Sequence, residues 1–404
     1  MKQVIRQDYI DRITAGLKAD KLVLLTGARQ VGKTTLMLQV EQQLWLPSLL
    51  VNMEDWFGED RTSKEDFLDW ISLKFGFDVY SPGLLMLDEV QYLRMPEALL
   101  KSLYDDRKIQ CFILATGSRF RWQQRVGSSL VGRWRIIRVY SYSFLEFLRA
   151  KWLHVDQQKL ETISYKLIEK YLQEYQTYGG YPAVVHASIH TEKIDRMEEI
   201  VWRMLEKDFT TYISHDELIS FRKVFQSIAR SIGSLWKTNK IAQILELSNY
   251  KVEKYLQFLE DLYMIESVYP YFTDRTKEYK SQKEFFFHDI GLHSYFVGNR
   301  ESPVAWKVIE NLVYLNLKRN QKYRTINYRK NRAGSEIDFV VETKDNKLVP
   351  IEVKSGDKTH IPRIFHSFFS TYHDSIEYGV VTTKSLQKQE RVGDKVVYFV
   401  PYWR

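Results

Sequence analysis

Short, unbroken apolar runs alternate with amphipathic stretches along the first third of the chain. "KLVLLT" (21–26), "SLLVNM" (48–53), "LLMLDE" (84–89) and "CFILATGS" (111–118) are each long enough for one strand, and "RIIRVYSY" follows from residue 135. Segments of helical length separate them. Continuous apolar strands alternating with helices predict a parallel sheet covered on both faces.

The pattern changes after about residue 150. "KLETISYKLIEKYLQEYQTYGGYP" predicts a helix that runs into a Gly-Gly-Tyr-Pro breaker. Further on, "NKIAQILELSNYKVEKYLQFLEDLYMIESVYPY" predicts two helices, a tight turn at Ser248 and Asn249, and a following strand. Val252, Tyr255, Leu256, Leu259 and Leu262 fall at helical spacing and would bury one face. That is the outline of a winged helix-turn-helix, whose second helix would expose Lys251 and Lys254 with Glu253 between them. A packing or adaptor role and direct DNA reading are both open to it.

A third pattern begins near residue 276. Ser302 and Pro303 suit the N-cap and first turn of the helix "SPVAWKVIENLVYLNLKRN". The strands "TINYRK", "SEIDFVVE" and "LVPIEVKS", the helical "IPRIFHSFFSTYH" and the strand "IEYGVVTT" follow. The chain therefore divides into 1–150, 151–275 and 276–404, with an α/β core, a helical and winged-helix middle, and an α/β C-terminal domain.

Composition narrows this picture modestly. A chain of 404 residues, 44% hydrophobic and 27% charged, suits two to four globular domains. The net charge of +8 favours an anionic partner. Residues 116–145 hold six Arg and no acid, and residues 311–335 hold seven Lys or Arg and no acid. The stretches 119–138 and 318–332 are therefore the places to expect DNA contacts, although a charge run is also what a solvated face looks like. The single cysteine, Cys111, lies in an apolar run and reads as a buried strand residue, which fits a reducing cytosol. "MKQVIRQDYI" carries no signal-like apolar core, and no segment reaches the length of a membrane span, so a cytoplasmic protein without membrane contact is expected.

Candidate chemistry begins at "GARQVGKTT". Gly27, Ala28, Arg29, Gln30, Val31, Gly32, Lys33, Thr34 and Thr35 follow a strand and open a helix, in the pattern G-x-x-x-x-G-K-[ST]. Such glycines let backbone N–H groups wrap phosphates at the positive end of a helix. Lys33 would reach the β- and γ-phosphates of ATP, and Thr34 would coordinate Mg²⁺. Asp88, ending a strand, would hold the Mg²⁺ shell, and Glu89 would orient or deprotonate the attacking water, which points to hydrolysis rather than transfer to a small molecule. Thr116 or Ser118, at the end of another strand, would sense the γ-phosphate through a hydroxyl. Arg133 is the candidate arginine finger, acting in a neighbouring subunit's site, so a homo-oligomer is expected.

"GARQVGKTT", "LDEVQ", "TGS", "VGRW", "SFLEF" and "YGGYP" occur in this order, and in this the chain resembles a large prokaryotic family. Its members are AAA-like P-loop ATPases with a restriction-endonuclease-like C-terminal domain, relatives of the archaeal ATPases. The resemblance implies ATP use and adds weight to Arg133 as the arginine sensor. Arg119, directly after "TGS", departs from the small polar residue often found there.

"PIEVKSG" (350–356) poses a different problem. The loop "TKDNK" joins two strands as a hairpin. Symmetry about Asp345 makes paired residue numbers sum to 690, which sets Asp338 opposite Glu352 and Glu336 opposite Lys354. All four charges then share one face, with Ile337, Phe339 and Val341 on the other beside Val349, Ile351 and Val353. Like charges directly opposite destabilise a sheet, and a divalent cation such as Mg²⁺ or Mn²⁺ would reverse that. Lys354 could then stabilise a pentavalent phosphate or help to activate water. This resembles the PD-(D/E)xK nuclease superfamily, which implies Asp338, Glu352 and Lys354 as its core and Glu310 as an added acid from the preceding helix. Ile337 stands where the leading Pro would be. A solvated charged hairpin and a nuclease fold that binds without cutting are alternatives. His288 and Asp289 read as core or capping residues, and His186, His190 and His215 share no ligand spacing.

Overall fold

The computed structural model describes residues 4–55, 63–118, 135–151, 153–272, 282–298, 306–320, 322–330, 334–357 and 360–404. The chain forms two compact units, Met1–Ser141 with Asp261–Tyr263, and Tyr142–Glu260 with Met264–Arg404.

In the first unit, α1 (Gln7–Asp20) precedes β1 (Leu22–Thr26), α2 (Lys33–Leu44), β2 (Ser48–Asn52), α3 (Lys64–Phe75), β3 (Leu84–Asp88), α4 (Pro96–Asp105), β4 (Phe112–Gly117) and β5 (Arg135–Arg138). The apolar runs seen in the sequence are these five strands. Their order is β2-β3-β4-β1-β5, with every pairing parallel. β1 and β3 are buried along their whole length, because helices cover both faces. Leu22, Leu24, Leu85, Leu87, Ile113 and Ala115 fill one core with Phe67, Ile71, Leu100 and Leu103 from α3 and α4. Cys111 is buried at the foot of β4, and burial pushes its thiol up to about 11, so it is an inert core residue. Because β4 lies between β1 and β3, the carboxyl ends of these three strands converge at one edge, where open α/β sheets bind ligands.

The second unit begins with α5 (Phe144–Ala150), α6 (Gln157–Thr162), α7 (Tyr165–Tyr178), α8 (Pro182–His186) and α9 (His190–Tyr212). The "YGGYP" motif ends α7 for a steric reason. A Cβ on Gly179 (φ +74°) would lie 2.0 Å from Asp289 Oδ1, and one on Gly180 would lie 2.2 Å from the Tyr142 carbonyl oxygen. Asp289 accepts the Gly180 and Gly291 N–H groups, both at 2.8 Å, which fits its expected capping role. His288 lies 3.5 Å from Glu266.

Helices α10 (Leu218–Arg230), α11 (Thr238–Ile244) and α12 (Asn249–Asp261) lead into an antiparallel pair, β6 (Ile265–Val268) and β7 (Glu284–Phe287). Val252, Tyr255, Leu256, Leu259 and Leu262 are all buried, as their spacing predicts.

The last region carries α13 (Ile290–Val297), α14 (Trp306–Asn320), β8 (Tyr323–Lys330), β9 (Glu336–Thr343), β10 (Leu348–Glu352), α15 (Arg363–Thr371) and β11 (Gly379–Thr383). Two strands that the hydrophobic pattern did not disclose follow, β12 (Lys388–Val392) and β13 (Lys395–Pro401). The six-stranded mixed sheet runs β12-β13-β11-β10-β9-β8. Among the described residues, no helix is long and apolar enough to cross a membrane.

Candidate functional site

The loop between β1 and α2 has the backbone that phosphate binding needs. Gly27 has φ +142°, Gln30 +62° and Gly32 +92°, so the loop leaves the extended path of β1, as a phosphate-cradling loop must. A Cβ at Gly27 would sit 2.1 Å from the Val139 carbonyl oxygen, so only glycine fits there. Lys33 opens α2, is 4% exposed, and donates to the Gly27 and Ala28 carbonyls at 3.0 and 2.9 Å. Burial lowers its pKa, opposed by the charges of Glu89 and Asp88. The ammonium therefore rests on the loop itself.

Thr34 and Asp88 meet directly, with Thr34 Oγ1 donating to Asp88 Oδ2 at 2.6 Å. Thr116 donates to the other Asp88 oxygen and accepts the Glu89 N–H at 2.9 Å. One β4 hydroxyl thus fixes both acidic residues that follow β3. Ser118 lies 3.4 Å from Glu89 Oε2 and receives Gln91 Nε2 at 3.0 Å. Glu89 itself has φ +57°, a conformation costly for a residue with a Cβ, and such strain gathers at functional sites. Arg29 Nη1 stands 3.9 Å from Glu89 Oε2. Val31 is buried, and Thr35 continues the first turn of α2. Gln91 was not singled out from sequence; its place three residues past Asp88, in "LDEVQ", was the available signal. The hard oxygen pair Thr34 and Asp88 suits Mg²⁺ chemistry. Arg133 and the part of 119–138 up to residue 134 lie outside the described residues.

The C-terminal face is assembled differently. Leu348↔Glu342, Val349↔Val341, Pro350↔Val340 and Ile351↔Phe339 all follow the register expected from Asp345. The ladder stops there. Asp338 and Glu352 lie just beyond it, where Asp338 Oδ2 accepts the Val353 N–H at 2.6 Å. The expected Glu336–Lys354 pair does not form. Lys330 stands opposite Glu336 in the β8–β9 ladder and takes it at 3.3 Å, while Lys354 pairs with Glu352.

Strict alternation also fails, for a definite reason. The β8–β9 register shifts between Asn327↔Val340 and Arg329↔Ile337, so Tyr328 alone faces Asp338 and Phe339 together. This bulge puts Ile337 and Val340 in one core cluster with Leu348, Phe365 and Val381, while Phe339 meets Phe286 and Tyr314. Bulges re-aim side chains in this way beside functional sites.

Burial and then the charge of Glu352 raise the pKa of Asp338, and burial raises that of Glu352 despite Lys354. Among the described residues, Glu352 Oε2 is buried without a hydrogen-bond partner. Glu310, on α14, is pushed up to about 9 by burial and then by Asp338. Lys307 holds it at 2.7 and 3.0 Å and also donates to the Gly233 carbonyl at 2.5 Å. Glu284, on β7, is pushed up to about 8 by burial and then by Glu336, with Asp338 adding to it. A lone acid ahead of "FFF" gave no sequence signal. Among the described residues, no group of three His, Cys, Asp or Glu side chains is placed to hold a metal ion.

The cations expected to meet DNA are largely engaged within the fold. Arg135 pairs with Asp20 at 3.3 Å. Lys318 pairs with Glu266 at 2.8 Å, Arg324 bonds Asn346 at 2.7 Å and Arg329 bonds the Tyr372 hydroxyl at 2.6 Å. Residues 321, 331 and 332 lie outside the described residues. Lys251 and Lys254 both reach Glu217, at 2.9 and 3.3 Å, and lower its carboxyl to about 2.

The sequence matches known families over three segments. Residues 19–148 match the family described as an AAA domain, and the fold is α/β with a parallel five-stranded P-loop-like sheet, a helical middle and a mixed-sheet C-terminal region. Residues 169–302 and 307–404 match two domains of unknown function, DUF8612 and DUF4143. An uncharacterised protein of Haemophilus influenzae is 25% identical over 99% of this chain and 98% of its own. An uncharacterised protein of Methanocaldococcus jannaschii is 25% identical over 88% of this chain and 80% of its own. The Walker-type ATPase PABY2304 of Pyrococcus abyssi aligns in structure over 73% of this chain and 96% of its own, at 15% identity and a TM-score of 0.48. The chain thus carries an AAA-like P-loop domain over residues 19–148.

Proposed function

We propose that the protein hydrolyses ATP with Mg²⁺ and acts on DNA, with a metal-dependent nuclease-like site at its C-terminal face. The observation that carries the first half is the Thr34–Asp88–Thr116 chain of hydrogen bonds, which anchors Glu89 beside the phosphate loop. Mg²⁺, when bound, supplies charge neutralisation to the phosphates, and Thr34 and Asp88 are the residues that would hold it. Lys33 exchanges its two loop carbonyls for phosphate oxygens. Glu89 orients the attacking water and takes its proton. Ser118 reports the γ-phosphate to Glu89 and Gln91, and Arg133 completes the site of a neighbouring subunit in a homo-oligomer.

At the C-terminal face, Asp338 and Glu352 would hold Mg²⁺ or Mn²⁺, and Lys354 would stabilise charge on a phosphate. The lone Glu352 Oε2 supports this reading, since buried carboxylate oxygens are ordinarily paired, hydrogen-bonded or coordinated to a metal. DNA would be gripped by 119–138 and 318–332. A second reading, a nucleotide-gated switch whose C-terminal fold binds nucleic acid or a protein without cutting, draws on the internally paired cations and on Lys307 already neutralising Glu310.

The test incubates the purified chain and Lys354→Ala with linear, single-stranded and branched DNA in Mg²⁺ or Mn²⁺, with and without ATP. Cleavage by the wild type alone supports the nuclease-like site. DNA binding without cleavage by either chain overturns it and leaves the switch.

A further inference from the structure

We propose that Gln91 is the positioning residue of the hydrolytic step: its amide tethers the Glu89 carboxylate to Ser118 and keeps it aligned when the Ser118 hydroxyl turns to the γ-phosphate. The inference rests on the reading of Glu89 and Ser118 given above.

Gln91 sits in a single 3₁₀ turn, Val90–Tyr92, directly after Glu89. Two backbone bonds close that turn: the Tyr92 N–H donates to the Glu89 carbonyl at 3.1 Å, and the Leu93 N–H to the Val90 carbonyl at 3.0 Å. Val90 is wholly buried in the core beneath the sheet and anchors the turn there. β4 runs parallel to β3 with Ala115 opposite Leu87, so Ser118 at the end of β4 comes within reach of a long side chain just past Asp88.

The Gln91 amide can lie only one way round in this place. The Ser118 N–H can only donate, and it meets Gln91 Oε1 at 3.2 Å. Gln91 Nε2 therefore carries the two protons that reach Ser118 Oγ, at 3.0 Å, and Glu89 Oε2. All three contacts of the amide are used, two on Ser118 and one on Glu89.

Ser118 has a single hydroxyl proton, and Glu89 Oε2 stands 3.4 Å from its Oγ. That proton cannot serve Glu89 and a phosphate oxygen at once. When it turns to the γ-phosphate, the hydrogen bond left on Glu89 among the described residues is the one from Gln91, with Arg29 3.9 Å away. Thr116 holds the Glu89 backbone at 2.9 Å, but three side-chain torsions still separate that backbone from the carboxylate. Gln91 removes this freedom at the group that must meet the attacking water.

The experiment measures single-turnover phosphate release and Mg·ATP affinity in the full chain. Gln91→Met, close in length but without the amide, is expected to slow release about tenfold or more, with affinity kept within about twofold. In a Glu89→Gln background the same change is expected to cost less than about twofold, because Gln91 acts through Glu89. An equal loss in both backgrounds would overturn the inference, as would weakened Mg·ATP affinity at an unchanged rate. Should Gln91→Met fail to fold, Gln91→Asn keeps the amide one methylene too short to span Ser118 and Glu89, and is expected to be slowed likewise. Full turnover by Gln91→Met beside an inactive Lys33→Ala would overturn the inference and spare the phosphate-loop reading. Full turnover by Lys33→Ala would overturn that reading, and Gln91 with it.

Discussion

The phosphate-loop site and the C-terminal face both gather charged side chains, yet they satisfy them in opposite ways. Around Asp88 each polar group has a partner in place: Thr34 and Thr116 take its two oxygens, and Lys33 rests on two carbonyls. At the C-terminal face, one oxygen of Glu352 has no partner among the described residues, and like charges face one another under burial. The first arrangement is complete before any ligand arrives and needs only exchange of partners. The second holds an unfavourable charge distribution that a cation would relieve. Pre-assembly thus marks the phosphate-loop site and electrostatic frustration the C-terminal face.

The largest effect expected from breaking this contrast is at Lys33. Lys33→Ala should lower ATP turnover about a hundredfold or more while leaving Mn²⁺ uptake at the C-terminal face unchanged. A phosphate-release assay beside a Mn²⁺ titration followed by electron paramagnetic resonance checks both halves. Thr116→Val comes next. It removes the donor to Asp88 and the acceptor of the Glu89 N–H, and should cost about 1–3 kcal/mol of stability together with much of the turnover. Urea unfolding and single-turnover kinetics read the two.

A pH titration sharpens the other side. Glu284 and Glu310 have folded pKa values of about 8 and about 9 against an ordinary 4.5. Between those limits the folded chain binds more protons than the unfolded one, so in EDTA stability should fall as pH rises from the ordinary value through the folded ones. Glu284→Gln should remove part of that slope. Thermal melts across the range check this. The smallest effect is expected at Lys251→Ala and Lys254→Ala. Each lysine is already engaged by Glu217 in a partly exposed pair, so each should change stability by no more than about 1 kcal/mol, read by urea midpoints.

Much of the first unit was legible because its strands are contiguous apolar runs and its loop spells out backbone needs in Gly27 and Gly32. The strand-loop-helix context then located Lys33, Thr34 and Asp88 without tertiary information. Gln91 was harder, since its role depends on β4 lying beside β3, which only sheet order reveals. The hairpin register about Asp345 was readable from loop symmetry. The bulge at Asp338 and Phe339 was not, because it arises from β8, a partner strand whose register the sequence does not announce. That one irregularity explains why Phe339 points to Tyr314, and it accompanies Lys330, not Lys354, taking Glu336. The β12–β13 pair escaped notice because "KQERVGDKVVYFV" begins with charged residues at a sheet edge, where β12 is only half-buried. Glu284 escaped for a different reason: a single acid beside an aromatic run acquires meaning only when α14 and β9 are packed against it.

The most direct test of the central claim is ATP binding and turnover by Glu89→Gln. The pre-assembled site predicts that this variant binds Mg·ATP with near wild-type affinity but turns it over at least about a hundredfold more slowly, since only the group that activates water has been changed. Turnover at the wild-type rate would contradict the assignment of Glu89, and with it the account of the phosphate loop as a hydrolytic site.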